Sequence, residues 1–222
     1  MSAEPHAPST HAAGTPATRA AGTPANRAAG TPTTRAVIAL GSNLGARDEL
    51  LGDAVRALDA TPGVTVVAAS TPVSSVALTL DGPDETRPEY LNAVALVDTD
   101  LDPLALLDAL HGIESEHGRT REVRWGDRTL DLDIVVFGDL ELDTERLTLP
   151  HPRASERAFV LEPWFEIDEE ARLGGHGPVA ALIARLPDRT RPVTGATRLL
   201  DRRRASSAIP SADDRHDQGV TA

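Results

Sequence analysis

LDLDIVVFG, residues 130 to 138, alternates apolar and acidic side chains for five residues and then becomes wholly apolar before Gly138. A period of two is that of a β-strand, so Leu130, Leu132 and Ile134 share one face while Asp131 and Asp133 share the other. Upstream lies a stretch from Pro103 to His117 with Leu106, Leu110 and Ile113 at helical spacing. Before that, YLNAVALVDT at 90 to 99 and VTVVAAS at 64 to 70 read as strands. Leu51, Ala54, Val55 and Leu58 predict a helix ended by Pro62-Gly63, and AVIAL at 36 to 40 is a short buried strand.

The order βαββαβ predicts an α+β sandwich of ferredoxin-like type, an antiparallel sheet with helices packed on it. Downstream, an extra hairpin near 139 to 149 and a short helix near 154 to 161 are expected to decorate that core. Residues 12 to 35 are three copies of an eight-residue unit, AAGTPATR, AAGTPANR and AAGTPTTR, each with Gly and Pro and none with core-forming content. Residues 1 to 35 therefore read as a disordered arm, 36 to 197 as the folded domain, and 198 to 222, polar and containing RRR and DDRHDQG, as a disordered tail.

Composition narrows the chemistry. The 222 residues contain no cysteine, and all 22 basic residues are arginine. Thiolate metal sites, cysteine nucleophiles, lysine Schiff bases and a P-loop lysine are all excluded. A net charge of -12 opposes general binding to nucleic acid. The absence of a long apolar run or a secretory signal opposes a membrane partner and predicts a cytoplasmic protein.

The densest chemical signal is GRTREVRWGDRTLDLDI, 118 to 134, where Arg119, Arg121, Arg124 and Arg128 precede the two aspartates. Two carboxylates on one strand face suit a hard cation such as magnesium, and arginines nearby would neutralise a polyphosphate. The alternative is a solvated sheet face on which the aspartates pair with those arginines. In PEYLNAV, Tyr90 and Asn92 share a strand face, a ring to stack and an amide to read the edge of a flat heterocycle, although a tyrosine there also serves simple packing. In LPHPRASERAFVLEP, 149 to 163, His151 stands between two prolines, placed either for a phosphate or ribose or as a hydrogen-bonded turn residue. Arg157 and Phe159 follow, and Phe159 is a candidate second wall facing Tyr90. Glu114, beside Ile113, reads most simply as a solvated helix edge.

Taken together, IALGSNLG (38 to 45), YLNAV, RWGDRTLDLDI (124 to 134) and LPHPRASERAFVLEP resemble the 6-hydroxymethyl-7,8-dihydropterin pyrophosphokinases of folate biosynthesis over about residues 36 to 170. The resemblance implies the ferredoxin-like core, two magnesium ions, ATP as co-substrate and a monomer that moves pyrophosphate to the pterin hydroxymethyl group and releases AMP. It makes Asp131 and Asp133 the metal ligands and lets Tyr90 and Phe159 sandwich the pterin, with Asn92 on its edge. It places Arg119, Arg121, Arg124, Arg128 and Arg157 on phosphates, with Trp125 in the same loop. His111, Glu114, Ile134, Arg146, Thr148 and His151 fall on the nucleotide side. Two departures stand out: Asp127 where the family has proline, and the stretch SSVALTLDGPDETRPE from Ser74, which lacks the usual pterin-covering pattern. Two other readings are a binding module derived from this family that holds nucleotide or pterin without turnover, and a tethering protein that uses its arms.

Overall fold

The computed structural model describes residues 32–79, 82–86, 88–118 and 129–201. The proposed arm before Pro32 and the tail after Asp201 lie outside these residues. In chain order the elements are β1 (Thr34–Ser42), α1 (Arg47–Ala60), β2 (Val64–Ala69), β3 (Val73–Ser75), β4 (Ala77–Thr79), β5 (Gly82–Asp84) and β6 (Tyr90–Thr99). There follow α2 (Pro103–Glu116), β7 (Asp131–Phe137), β8 (Leu142–Asp143), β9 (Thr148–Leu149), α3 (Ala158–Ile167), β10 (Arg172–Leu173), β11 (Gly177–Pro178), α4 (Val179–Ile183), β12 (Arg191–Pro192) and β13 (Leu200–Asp201). A 3₁₀ turn at Ala154–Glu156 leads into α3.

The main sheet is antiparallel throughout, with β1 between β7 and β6, and with β2 and β3 end to end along the other side of β6. β12 and β13 then pair with the outer edges of β3 and β2. Strand formation extends past the boundaries that composition suggested. Thr34 and Arg35, the last residues of the repeat, open β1 opposite Thr99 and Asp98, and Leu200 and Asp201 pair with Ala69 and Ala68 beyond residue 197. The reason is edge chemistry: open strand edges carry unpaired backbone groups, which even a polar segment can satisfy.

Both sheet faces are covered. One core joins Ile38, Leu40, Val66, Ala93, Leu132 and Ile134 to Leu51, Leu58, Leu106 and Leu110 of α1 and α2. The opposite core joins Val37, Val94, Leu96 and Val136 to Val160, Leu161 and Trp164 of α3 and Val179 and Leu182 of α4. This double burial explains the unbroken buried run Leu91–Val97 in β6, since a strand covered on both sides loses its polar alternation. The helix expected near 154 to 161 is accordingly longer and starts later, and it forms the second layer in place of a decoration.

Local sequence accounts for the other elements. Asp102 caps α2 by accepting from Leu104 N at 3.0 Å and Ala105 N at 2.9 Å, and Pro103 fills the first helical position. In β7 the register slips after Ile134, so Val135 is a bulge residue. The bulge places Phe137 on the same core as Leu132 and Ile134, where strict alternation would send it to the other side.

Candidate active site

Asp131 and Asp133 lie on the α3 side of β7, opposite the core formed by Leu130, Leu132 and Ile134. The expected division of that strand into an apolar and an acidic face is what the structure shows. Strand pairing continues the row across the sheet: Asp131 is opposite Gly41, Gly41 opposite Asn92, and Asn92 opposite Val73. Adjacent strands lie about 4.8 Å apart, so Gly41 is the single residue between a carboxylate and an amide on one face. A Cβ there would stand 3.3 Å from Asn92 Oδ1 and 3.9 Å from Tyr90 Cδ1. Glycine at 41 thus leaves the row open.

Asn92 is buried, and its Nδ2 donates to Ser75 Oγ at 2.9 Å. Tyr90, half-buried, opens β6 opposite Ser75. Ser75 therefore fixes the amide while β6 presents the ring. Sequence reading missed Ser75 because nothing local connects it to a residue seventeen positions away.

The outer edge of β7 is closed by one side chain and one main-chain amide. Glu114, fully buried, accepts from Leu132 N at 2.8 Å, and His151 N donates to Val135 O at 2.8 Å. The reading of Glu114 as a solvated helix edge is overturned: its carboxylate completes the backbone of the strand segment that carries both aspartates. His151 Nδ1 accepts from Arg153 N at 3.2 Å, so the neutral ring carries its proton on Nε2. That nitrogen stands 3.8 Å from Asp133 Oδ2. Burial pushes the His151 pKa below its ordinary value; Asp133 opposes the shift, while Arg157 and Arg153 reinforce it.

Arg157, at the start of α3, places Nη1 3.9 Å from Asp133 Oδ2, and its guanidinium carbon lies 5.5 Å from the centroid of the Phe159 ring. Asp133, His151, Arg157 and Phe159 are thus brought together although they span 27 positions. Farther out, Arg146 pairs with Asp108, one turn before His111 on α2, and Thr148 donates to Asp143 Oδ1 at 3.1 Å. Arg119, Arg121, Arg124, Trp125 and Arg128, together with Asp127, lie outside the described residues.

Carboxylates beside a neutral histidine and a half-buried arginine that covers a phenylalanine ring, at one end of an antiparallel sheet, are groups suited to a phosphoryl-transferring enzyme. The chain belongs to the 7,8-dihydro-6-hydroxymethylpterin-pyrophosphokinase family, whose model matches residues 37–169. It is 42% identical over 153 residues to 2-amino-4-hydroxy-6-hydroxymethyldihydropteridine pyrophosphokinase of Haemophilus influenzae, covering 69% of this chain and 93% of that protein. It is 47% identical over 135 residues to the protein of the same name from Bacillus subtilis, covering 61% and 78%. Among solved structures it resembles wild-type Plasmodium falciparum HPPK-DHPS with a TM-score of 0.53 at 14% identity, covering 71% of this chain and 45% of that one, a likeness of fold.

Proposed function

We infer that this chain transfers pyrophosphate from ATP to 6-hydroxymethyl-7,8-dihydropterin, giving AMP and the pterin diphosphate in folate biosynthesis. Family membership supports the reaction. The observation that carries it to named residues is the row Asp131–Gly41–Asn92, which sets a carboxylate beside a heterocycle-reading amide. The pterin lies against Tyr90 and Phe159 with its edge on Asn92, and its hydroxymethyl group points along the row toward Asp131 and Asp133.

The donor set suits magnesium. Among the described residues no three His, Asp or Glu side chains converge as a metal site, and Mg²⁺ needs only one or two carboxylates when waters and substrate phosphates supply the rest. Asp131 and Asp133 would hold two such ions, which when bound neutralise the phosphates and acidify the attacking hydroxyl. Arg157 and neutral His151, whose Nε2–H is a donor, face Asp133 from the nucleotide side, where the ATP phosphates lie. Glu114 keeps the Asp131–Asp133 backbone in place from behind. Ile134 is buried in the α1 and α2 core, so its contact with nucleotide is made by main chain. Arg119, Arg121, Arg124 and Arg128 supply further phosphate contacts, Trp125 belongs to the same nucleotide-binding set, and His111, Arg146 and Thr148 border the nucleotide.

We also assign the βαββαβ core to the ferredoxin-like type, on the strand order and the antiparallel pairing. The acting unit is a monomer in the cytoplasm; no described helix is long and apolar enough to cross a membrane. The test is direct: with ATP, Mg²⁺ and 6-hydroxymethyl-7,8-dihydropterin, AMP and pterin diphosphate form in equal amounts. Release of ADP, or no AMP, overturns the reading.

A further inference from the structure

The segment from Asp188 to Asp201 lies beyond the part of the chain that the family model matches, and the structure fastens it at several points. Glu162 of α3 accepts from Thr190 N at 3.1 Å and Arg189 Nη1 at 3.1 Å, and Glu166, one turn on, accepts from Arg198 Nε at 2.8 Å. Between these anchors, β12 pairs Arg191 with Ser74 and Pro192 with Val73. β3, only three residues long, is thereby an internal strand with β6 on one side and β12 on the other. β3 is also the strand whose Ser75 holds Asn92.

Arg191 does more than pair backbone. Its Nη1 meets Glu89, whose carboxylate also accepts from Ser74 Oγ and whose carbonyl accepts from Arg47 Nη1 at the start of α1. Ser74 and Arg191 hold the Glu89 carboxyl below its ordinary pKa, the hydroxyl hydrogen bond being the larger cause, so this group is an anion at neutral pH. Glu89 immediately precedes Tyr90. Ser74 pairs with Leu91, which packs in the α1 and α2 core, so the Glu89 cluster lies on the sheet face opposite Tyr90 and Asn92. No group in it reaches a pterin stacked on the other face.

We propose that Arg191 is a positioning residue for the pterin side: by joining β12 to Glu89 it braces β3 and the start of β6, and so sets Tyr90 and the Ser75–Asn92 pair from behind the sheet. This rests on the reading that Tyr90 and Asn92 receive the pterin. Among the described residues the contacts of Arg191 itself, with Glu89 and Ser74, involve no residue of β7, α2 or the start of α3, where the nucleotide side is built, so the effect falls on one substrate.

The test is steady-state kinetics of Arg191→Glu, which sets a like charge against Glu89, beside Arg191→Lys and an Arg35→Met control. Arg35 pairs with Asp98 at the far end of β1, at 2.6 Å. In Arg191→Glu the KM for pterin rises at least about fivefold, while kcat and the KM for ATP stay within about twofold. Arg191→Lys restores most of the difference, and Arg35→Met changes neither constant. A pterin KM within twofold of wild type, or an equal rise in both KM values, overturns the proposal while leaving the reaction intact. If the wild-type chain releases no AMP, the functional reading falls and this proposal with it. Arg191 is exposed, so loss of folding is not expected. Should Arg191→Glu nevertheless melt early, Arg191→Met gives the same decision without the repulsion.

Discussion

His151 Nε2 faces Asp133 Oδ2 across 3.8 Å, from a ring whose Nδ1 is already engaged by the Arg153 backbone. The histidine is held neutral by burial against the pull of this carboxylate. Two opposed influences on one group make a prediction with a definite sign. In the metal-free protein the His151 resonance titrates below 6.5, and in Asp133→Asn, with the opposing charge gone, it titrates lower still. NMR titration, with His151→Gln to assign the signal, reads both values; an upward shift in Asp133→Asn would contradict the geometry. The stability consequence follows by linkage. The unfolded chain binds this proton more readily, so the His151 contribution lowers stability as pH falls below about 6.5, a trend that His151→Gln should weaken.

Asp131→Asn should abolish turnover and spare the fold. Asp131 is half-exposed on the polar face, and its loss relieves repulsion with Asp133 in the metal-free protein. Metal stabilisation of the reacting phosphates is worth several kcal/mol, and each 1.4 kcal/mol or so is a factor of ten, so a loss of about a thousandfold in kcat is expected. A melting temperature near wild type with activity within tenfold of it would remove Asp131 from the metal site.

Glu114→Ala tests a different link, from packing to site. It removes the acceptor for Leu132 N and leaves a cavity at the β7 edge, together costing about 2 to 3 kcal/mol. Glu114→Gln keeps an amide oxygen for the same donor and should lose about half as much or less. Urea unfolding measures both. Equal loss in the two variants would mean that charge, and not the hydrogen bond to β7, is what Glu114 supplies.

Most of the sheet could be read locally, because β6 and β7 have long apolar runs and α2 has both helical period and an Asp-Pro start. The Asp131–Asp133 face was legible for the same reason: strand period fixes it without reference to anything distant. Glu114 was not, since helical period puts it beside Ile113 at the border of the buried stripe. Only the position of β7 decides that it is inside. β12 and β13 carry two residues each, too few for any period, and they exist because β3 and β2 offer open edges. Ser75 and Arg191 owe their importance to neighbours 17 and 102 positions away.

Gly41 gives a test of the row itself. Its φ is unremarkable, so substitution acts through space rather than backbone strain, and a Cβ already presses on Asn92 Oδ1 at 3.3 Å. Gly41→Ala should weaken pterin binding modestly, and Gly41→Val, with two more methyl groups between Asn92 and Asp131, at least about tenfold. Binding of an ATP analogue should change far less, because the nucleotide side is across β7. Calorimetry with each ligand separates the two; parallel losses would show that the row is not the pterin path.

A chain trimmed to residues 32–201 should keep both fold and activity, since the removed segments lack the apolar content to build a core. Ending it at 197 is a sharper cut. That removes the Arg198 bonds to Glu166, the Leu199 N to Ser70 O bond at 3.2 Å, and Leu199 and Leu200, which pack on the α1 and α2 core. Two partly buried leucines and an exposed ion pair amount to about 2 kcal/mol, or a fall of several degrees in melting temperature for a domain of this size. Because Arg191 and β12 remain, the pterin KM should hold within about twofold even as stability drops. Equal melting temperatures for the two chains would show that β13 is dispensable. A rise in pterin KM on cutting at 197 would extend the bracing role from Arg191 to the whole segment that ends in β13.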